Sequence, residues 1–189
     1  MKNLKLRALC ECGIFTAAAL ALSYLKIPIG LEFGGFGGSI SLVMIPIVIC
    51  AIRWGLGWGL GPGLVFGILK FFIGGGSALN WQSMLLDYFV AYMFVGFAGL
   101  IVRKPKLAWL SALIGCLGRF LVHFVSGITI YAIVEQTTIL GVTTADPWLY
   151  SVLYNGSYML PNTVLTVLCV GALALTPLSK YLRGDDLRR

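Results

Sequence analysis

Three ionisable side chains lie well inside apolar stretches of this chain, Asp87 in SMLLDYFVAYMFVGFAGL and Arg119 and His123 in CLGRFLVHFVSG, with Lys70 near the outer end of another, GILKFFIGGG. A carboxylate at the centre of a hydrocarbon layer costs roughly 2.5–3.5 kcal/mol on insertion scales, so such a residue is kept for what it faces. Arg119 and His123 are four apart and share one helical face, which Gly127 and Tyr131 extend. The segment PWLYSVLYNGSYMLP adds Tyr150, Tyr154, Asn155 and Tyr158, and Trp81 and Tyr88 flank Asp87. A carboxylate ringed by aromatic faces is the chemistry that holds an organic cation, through a counter-charge and π-faces together. The bland alternatives are an Asp87–Arg119 ion pair, a satisfied core histidine and interfacial belt aromatics.

The elements that must position these groups are membrane helices. Of 189 residues, 59% are hydrophobic and 11% charged, less than half the charged share of an ordinary soluble domain. Hydropathy and breaks predict an all-α integral membrane protein, one domain over residues 1–189. Six spans are expected, at about 8–27, 39–53, 55–74, 82–102, 107–133 and 148–178. Six crossings place Lys2, Lys5, Arg7, Arg53, Arg103, Lys104, Lys106, Lys180, Arg183, Arg188 and Arg189 on one side, eleven of the fourteen basic residues. The positive-inside rule then puts both termini in the cytoplasm. The net charge of +7 is therefore topological, and no nucleic-acid motif accompanies it. Asp87, His123 and Asn155 fall one to three turns from the opposite, outer side, where they can converge in one cavity.

Smaller features complete the reading. The outer loop KIPIGLEFGGFGGS has the composition of an apolar flap, and no phosphate-binding P-loop occurs in the chain. Gly13, Ala17 and Ala21 form a small-residue stripe that allows close helix approach, inside the chain or with a partner. The five cysteines, with only a C-x-C pair at Cys10 and Cys12, read as small buried hydrophobes and not as a metal site. Two rivals from other classes are an intramembrane serine protease using His123 with Ser126 or Ser157, and a proton-coupled secondary transporter using Asp87 and His123. The first has no marked oxyanion hole, and the second lacks a visible inverted repeat.

The segments RWGLGWGLGPGLVFGIL, LLDYFVAYMFVGFAGL, RFLVHFVSGI and LYSVLYNG, with the basic N-terminus and the small-residue stripe, resemble the thiamine-specific substrate-binding (S) components of energy-coupling factor vitamin transporters. The resemblance covers most of the chain. It implies a non-enzymatic, multi-pass protein of a prokaryotic cell membrane that captures thiamine from the outer face without a cofactor. It implies partners too: a transmembrane coupling subunit, docked on Gly13, Ala17 and Ala21, and two ATP-binding subunits. Vitamin contacts carry over to Asp87, Tyr88, His123, Tyr150 and Asn155, with Phe36 as the aromatic of the closing loop. Asp87 stands where the family usually has glutamate, and Tyr131 and Phe66 where it has tryptophans. In this picture Asp87 offsets the thiazolium and Asn155 bonds the aminopyrimidine.

Overall fold

The computed structural model describes residues 3–28, 38–131 and 137–187, with only the backbone at positions 130, 131 and 137. Six main helices occupy the six expected places: α1 (Leu4–Leu22), α2 (Met44–Trp54), α3 (Leu56–Phe72), α4 (Trp81–Leu100), α5 (Ala108–Tyr131) and α6 (Pro147–Leu175). A short α7 (Ser179–Arg183) follows. The helices α4, α5 and α6 are long and apolar enough to cross a membrane, α5 together with the preceding turn from Pro105. The helices α2 and α3 are apolar but shorter. The α2 sequence MIPIVICAIRW is apolar on every side, and the fold answers this by making it the central strut. Met44, Ile47, Val48, Ala51 and Ile52 are all fully buried there.

Local chemistry sets the helix starts. The side chains of Asn3, Asn80 and Asp146 accept hydrogen bonds from Leu6 N, Ser83 N and Trp148 N at the heads of α1, α4 and α6. Pro147 follows Asp146 at the first turn of α6, where its missing N–H costs nothing.

The structure departs from the sequence reading in three places. The outer segments carry strands that the sequence reading did not name: β1 (Lys26–Pro28) pairs antiparallel with β2 (Ser39–Ser41), and β3 (Thr137–Ile139) with β4 (Val142–Thr144). The first helix consequently ends at Leu22, short of residue 27, and the second begins at Met44, not residue 39. The cysteines are not uniformly buried hydrophobes either. Cys10 is exposed, while Cys12 on α1 and Cys50 on α2 are joined in a disulfide where the two helices cross, Cα atoms 5.9 Å apart. Third, α4 is no regular α-helix. Its residues Met84–Val90 wind as a π-helix, and its last turn, Gly96–Leu100, tightens to a 3-10 helix.

The distorted stretch of α4 packs closely on α3. A methyl group at Gly63 or Gly67 would overlap the carbonyl oxygens of Tyr92 and Tyr88. Glycine at these two positions, four apart on one face, lets the α4 backbone lie directly on α3. At the end of the bundle that holds the N-terminus, Arg53 is fully buried between the rings of Trp54 and Tyr181. It donates to Glu11 of α1 (2.6 and 3.2 Å) and to Asp186 beyond α7 (2.8 and 3.0 Å), tying the C-terminal segment to the first helix. Buried charges survive when paired and hydrogen-bonded on all sides, as here.

Candidate functional site

At the opposite end of the bundle α3, α4, α5, α6 and the β1–β2 hairpin enclose a cavity of about 420 Å³. That volume lies within the range of small-molecule sites. Asp87, His123, Tyr88, Tyr150 and Asn155, all singled out from the sequence, line it together with Arg119.

Asp87 hangs from the π-helical stretch of α4. In an α-helix, residues five apart point about 140° away from each other. The wider π turn brings Asp87 and Tyr92 to one side, and both line the cavity. Single π turns recur at functional sites for this reason. Asp87 Oδ1 lies 3.0 Å from His123 Nδ1, and Oδ2 accepts from Ser83 Oγ at 2.8 Å. Arg119 makes no ion pair with a described carboxylate; it donates through Nε to His123 Nε2 (3.2 Å) and through Nη2 to the Tyr92 hydroxyl (3.1 Å). Its guanidinium carbon sits 4.2 Å from the centre of the Tyr92 ring. The expected alternative of a direct Asp87–Arg119 pair is thus replaced by a relay with His123 between them.

The relay fixes the histidine. Arginine has donors only, so His123 Nε2 must accept, Nδ1 carries the hydrogen, and that N–H points at Asp87. Asp87 remains 23% exposed at its side chain, leaving carboxylate lone pairs toward the cavity. Behind the wall, Arg119 Nη1 is buried with no hydrogen-bond partner among the described residues, and the Ser126 hydroxyl is buried close to Asp87.

The aromatic wall comes from α6. Tyr150 and Tyr154 stack at 5.8 Å, and Tyr158 meets Tyr154 edge-on at 5.6 Å and His123 edge-on at 5.8 Å. The Tyr154 hydroxyl accepts from Gly38 N at 3.0 Å, so the end of the β hairpin is held against the same wall. Tyr88 spends its hydroxyl on Ser77, donating to its carbonyl and accepting from its N–H.

Two expected contacts, Asn155 and Phe66, are placed differently, and two more lie outside the described side chains. Asn155 lines the cavity, but both its amide hydrogens are used, on the His123 carbonyl (3.0 Å) and Ser151 Oγ (3.1 Å), and its Oδ1 accepts from the Tyr158 hydroxyl (2.7 Å). It fastens α5 to α6 and positions His123. Phe66 is not on the cavity wall: fully buried, it packs edge-on behind Tyr92, ring centres 4.6 Å apart. Tyr131 is the last residue of α5, its side chain outside the described part, and Phe36 lies outside the described residues altogether. Sequence reading misses Asn162, whose Oδ1 accepts from Ser41 N (2.9 Å) and whose Nδ2 donates to Ser39 O (2.8 Å), pinning β2 to α6. An asparagine inside an apolar helix is the available signal. Ser157 donates to the Tyr154 carbonyl at 2.7 Å, so the protease rival has no serine directed at His123 in it.

Long apolar helices around a ligand-sized cavity that carries a few buried polar groups define the class: a helical membrane protein with a binding chamber. Comparison with known proteins carries this to a family. Residues 9–182 match the family model described as thiamine transporter protein (Thia_YuaJ). The chain belongs to this thiamine transporter family. It is 30% identical to the thiamine transporter ThiT of Bacillus subtilis (strain 168), covering 94% of each chain. It is 31% identical to ThiT of Lacticaseibacillus paracasei, covering 89% of this chain and 87% of the relative. Its fold superposes on a solved structure of ThiT from Listeria monocytogenes with a TM-score of 0.79 at 28% identity, covering 96% of this chain and 99% of that one. These relatives are transporters, so the role is transport and not catalysis.

Proposed function

We propose that the protein is the thiamine-binding S component of an energy-coupling factor importer, a single six-span domain with both termini cytoplasmic. The observation that carries this is the cavity itself, with the Asp87 carboxyl group hydrogen-bonded to His123 and faced by tyrosine rings, in a member of the thiamine transporter family. Thiamine is a flat, permanently cationic molecule whose charge such a site offsets.

Orientation is supported by charge. Arg7, Arg53, Arg103, Lys104 and Lys106 gather away from the cavity, so the positive-inside rule opens the cavity to the exterior. The α2 helix, about 16 Å long, crosses only with the help of the chain leading into it. Docking of a coupling subunit on α1 is supported by exposure: Gly13, Ala17 and Ala21 all face outward, and nothing lies within 4 Å of a methyl group placed on Gly13. Two ATP-binding subunits would then supply the energy, since no nucleotide-binding motif occurs in this chain. Asp87, Tyr88, His123 and Tyr150 are the proposed ligand contacts in the described cavity. Phe36 and Tyr131 are proposed to complete it, with Phe66 and Asn155 as supports behind the wall.

The test is a thiamine titration of the purified, detergent-solubilised protein, followed by tryptophan fluorescence. Saturation at nanomolar to low-micromolar thiamine, absent with riboflavin or biotin, is expected. No response at millimolar thiamine refutes the substrate. Thiamine uptake by liposomes holding this chain alone would favour a secondary transporter and sink the S-component reading.

A further inference from the structure

We propose that the mouth of the cavity is an anion subsite, in which Lys70 and Lys26 hold a phosphate group carried on the ligand's hydroxyethyl arm. The protein then binds the phosphate monoester of thiamine as well as the free vitamin. The inference rests on the thiamine-binding reading and adds a second ligand class and the residues that recognise it.

Charge in the cavity wall does not match a cation alone. Among the described residues the wall carries three cationic side chains, Lys26, Lys70 and Arg119, against one carboxylate, Asp87. A ligand with a single positive charge offsets Asp87 and leaves the three cations unanswered. Arg119 is partly answered within the protein, by His123 Nε2 and by the hydroxyl and ring of Tyr92. The lysines are not.

Lys70, in the last turn of α3, is only 9% exposed and forms no ion pair with a described carboxylate. Its Nζ donates to Gly74 O at 2.8 Å and, over a long 3.4 Å, to Ser23 Oγ. Both acceptors are neutral, so a buried ammonium with three hydrogens is left without a counter-ion. The charged side chain that acts on it is Lys26 of β1, a like charge. Two cations brought together at a cavity rim repel each other, and an anion entering there relieves both.

The two signs are also separated along the cavity. Lys26 and Lys70 lie at its outer rim, on the hairpin and at the end of α3, whereas Asp87 lies further into α4. The complementary ligand is dipolar, with a cationic ring for Asp87 and an anionic group a few bonds away toward the mouth. A phosphate on the alcohol of thiamine supplies that group. At neutral pH it carries about −1.5 to −2 charges and three acceptor oxygens, for which lysine serves as a point charge. The free alcohol offers no charge to the lysines.

Thiamine and thiamine monophosphate are titrated calorimetrically, in phosphate-free buffer, against full-length wild type, Lys70→Met, Lys26→Met and Lys70→Arg in detergent. Wild type should bind both ligands. Lys70→Met should weaken the ester by about 10- to 100-fold, the worth of one hydrogen bond between charged groups, while thiamine affinity holds or rises. Lys26→Met removes a solvent-exposed charge, so it should weaken the ester only about two- to fivefold; it secures the test if Lys70→Met does not fold. Lys70→Arg keeps the charge and should keep most of the ester's affinity. Wild type that binds thiamine but not the ester would overturn the inference. So would lysine variants that weaken both ligands equally or leave the ester's affinity unchanged. Wild type that binds neither ligand would instead bring down the thiamine reading.

Discussion

Replacing Asp87 with asparagine separates charge from shape, because the structure shows how the amide would fit. Asp87 Oδ1 receives a hydrogen bond from His123, which cannot reverse its tautomer while Arg119 occupies Nε2. Asparagine must therefore place its carbonyl oxygen toward His123 and its NH2 toward Ser83. The Ser83 hydroxyl now donates at 2.8 Å, but it can rotate to accept. The hydrogen bonds with His123 and Ser83 survive, and the negative charge is lost. The fold should be preserved and the ligand-free melting temperature nearly unchanged.

Binding should not survive so well. A unit charge about 4 Å from a cation, at an effective dielectric constant near 20, contributes about 4 kcal/mol, and a hydrogen bond to a charged group about 1.5–3 kcal/mol. These overlap, so the expected loss is about 2–4 kcal/mol, roughly 30- to 1,000-fold in Kd. Calorimetric titration of thiamine into the purified variant measures this directly. Thermal stabilisation by thiamine provides a second reading, since ligand at 100 times Kd stabilises by about 2.7 kcal/mol and the variant at the same concentration gains far less. Asp87→Glu keeps the charge and should retain binding. If Asp87→Asn binds within about threefold of wild type, the counter-ion role is wrong, whatever the family.

Three further perturbations test how the site is held. Gly67→Ala drives a methyl group into the Tyr88 carbonyl, so it should destabilise by about 1–3 kcal/mol and weaken thiamine binding by shifting the π turn that carries Asp87. Thermal melts and titrations that both match wild type would refute this packing account. Asn162→Ala leaves Ser41 N and Ser39 O without partners, at about 1–3 kcal/mol, and hydrogen exchange at the Ser41 amide should accelerate sharply. Asp186, hydrogen-bonded by Arg53 and Arg7, has its carboxyl lowered from an ordinary 3.8 to about 2. A depressed carboxylate stabilises above its unfolded value, so this tie is whole above about pH 4 and fails as pH falls toward 2. Asp186→Asn at neutral pH should expose residues 177–187 to proteolysis while thiamine affinity holds.

Much of the fold and the site is legible in the amino-acid sequence, for physical reasons that differ by residue. The helices are legible because an apolar run has few other solutions in a membrane. Asp87 and His123 stand out because ionisable groups in such runs are too costly to be incidental. The pairing of Asp87 with Tyr92 is not legible, because it depends on a π turn that no helical period announces. That turn coincides with backbone contact at Gly63 and Gly67, a tertiary event expressed in another helix. The Cys12–Cys50 bond is hidden for the same reason: only the crossing of α1 and α2 brings residues 38 positions apart together.

Asn155 and Arg119 carry the sharper lesson, because both stand out in the sequence and neither makes the contact its type suggests. A side chain's type states which hydrogen bonds it can make, but its use depends on which of them the fold has already claimed. By type Asn155 looks free, yet it is fully donated, to His123 and Ser151. Arg119 looks committed, an obvious mate for Asp87, yet His123 intervenes and leaves a buried donor without a partner. The asymmetry follows from position. Asn155 lies between two helices that pack along their length, where neighbouring carbonyls and hydroxyls compete for it. Arg119 lines the cavity, but its Nη1 is buried and meets no hydrogen-bond acceptor among the described residues. A full count of donors and acceptors therefore separates the side chains that fasten helices, such as Asn155, from one that still offers lone pairs to the cavity, such as Asp87.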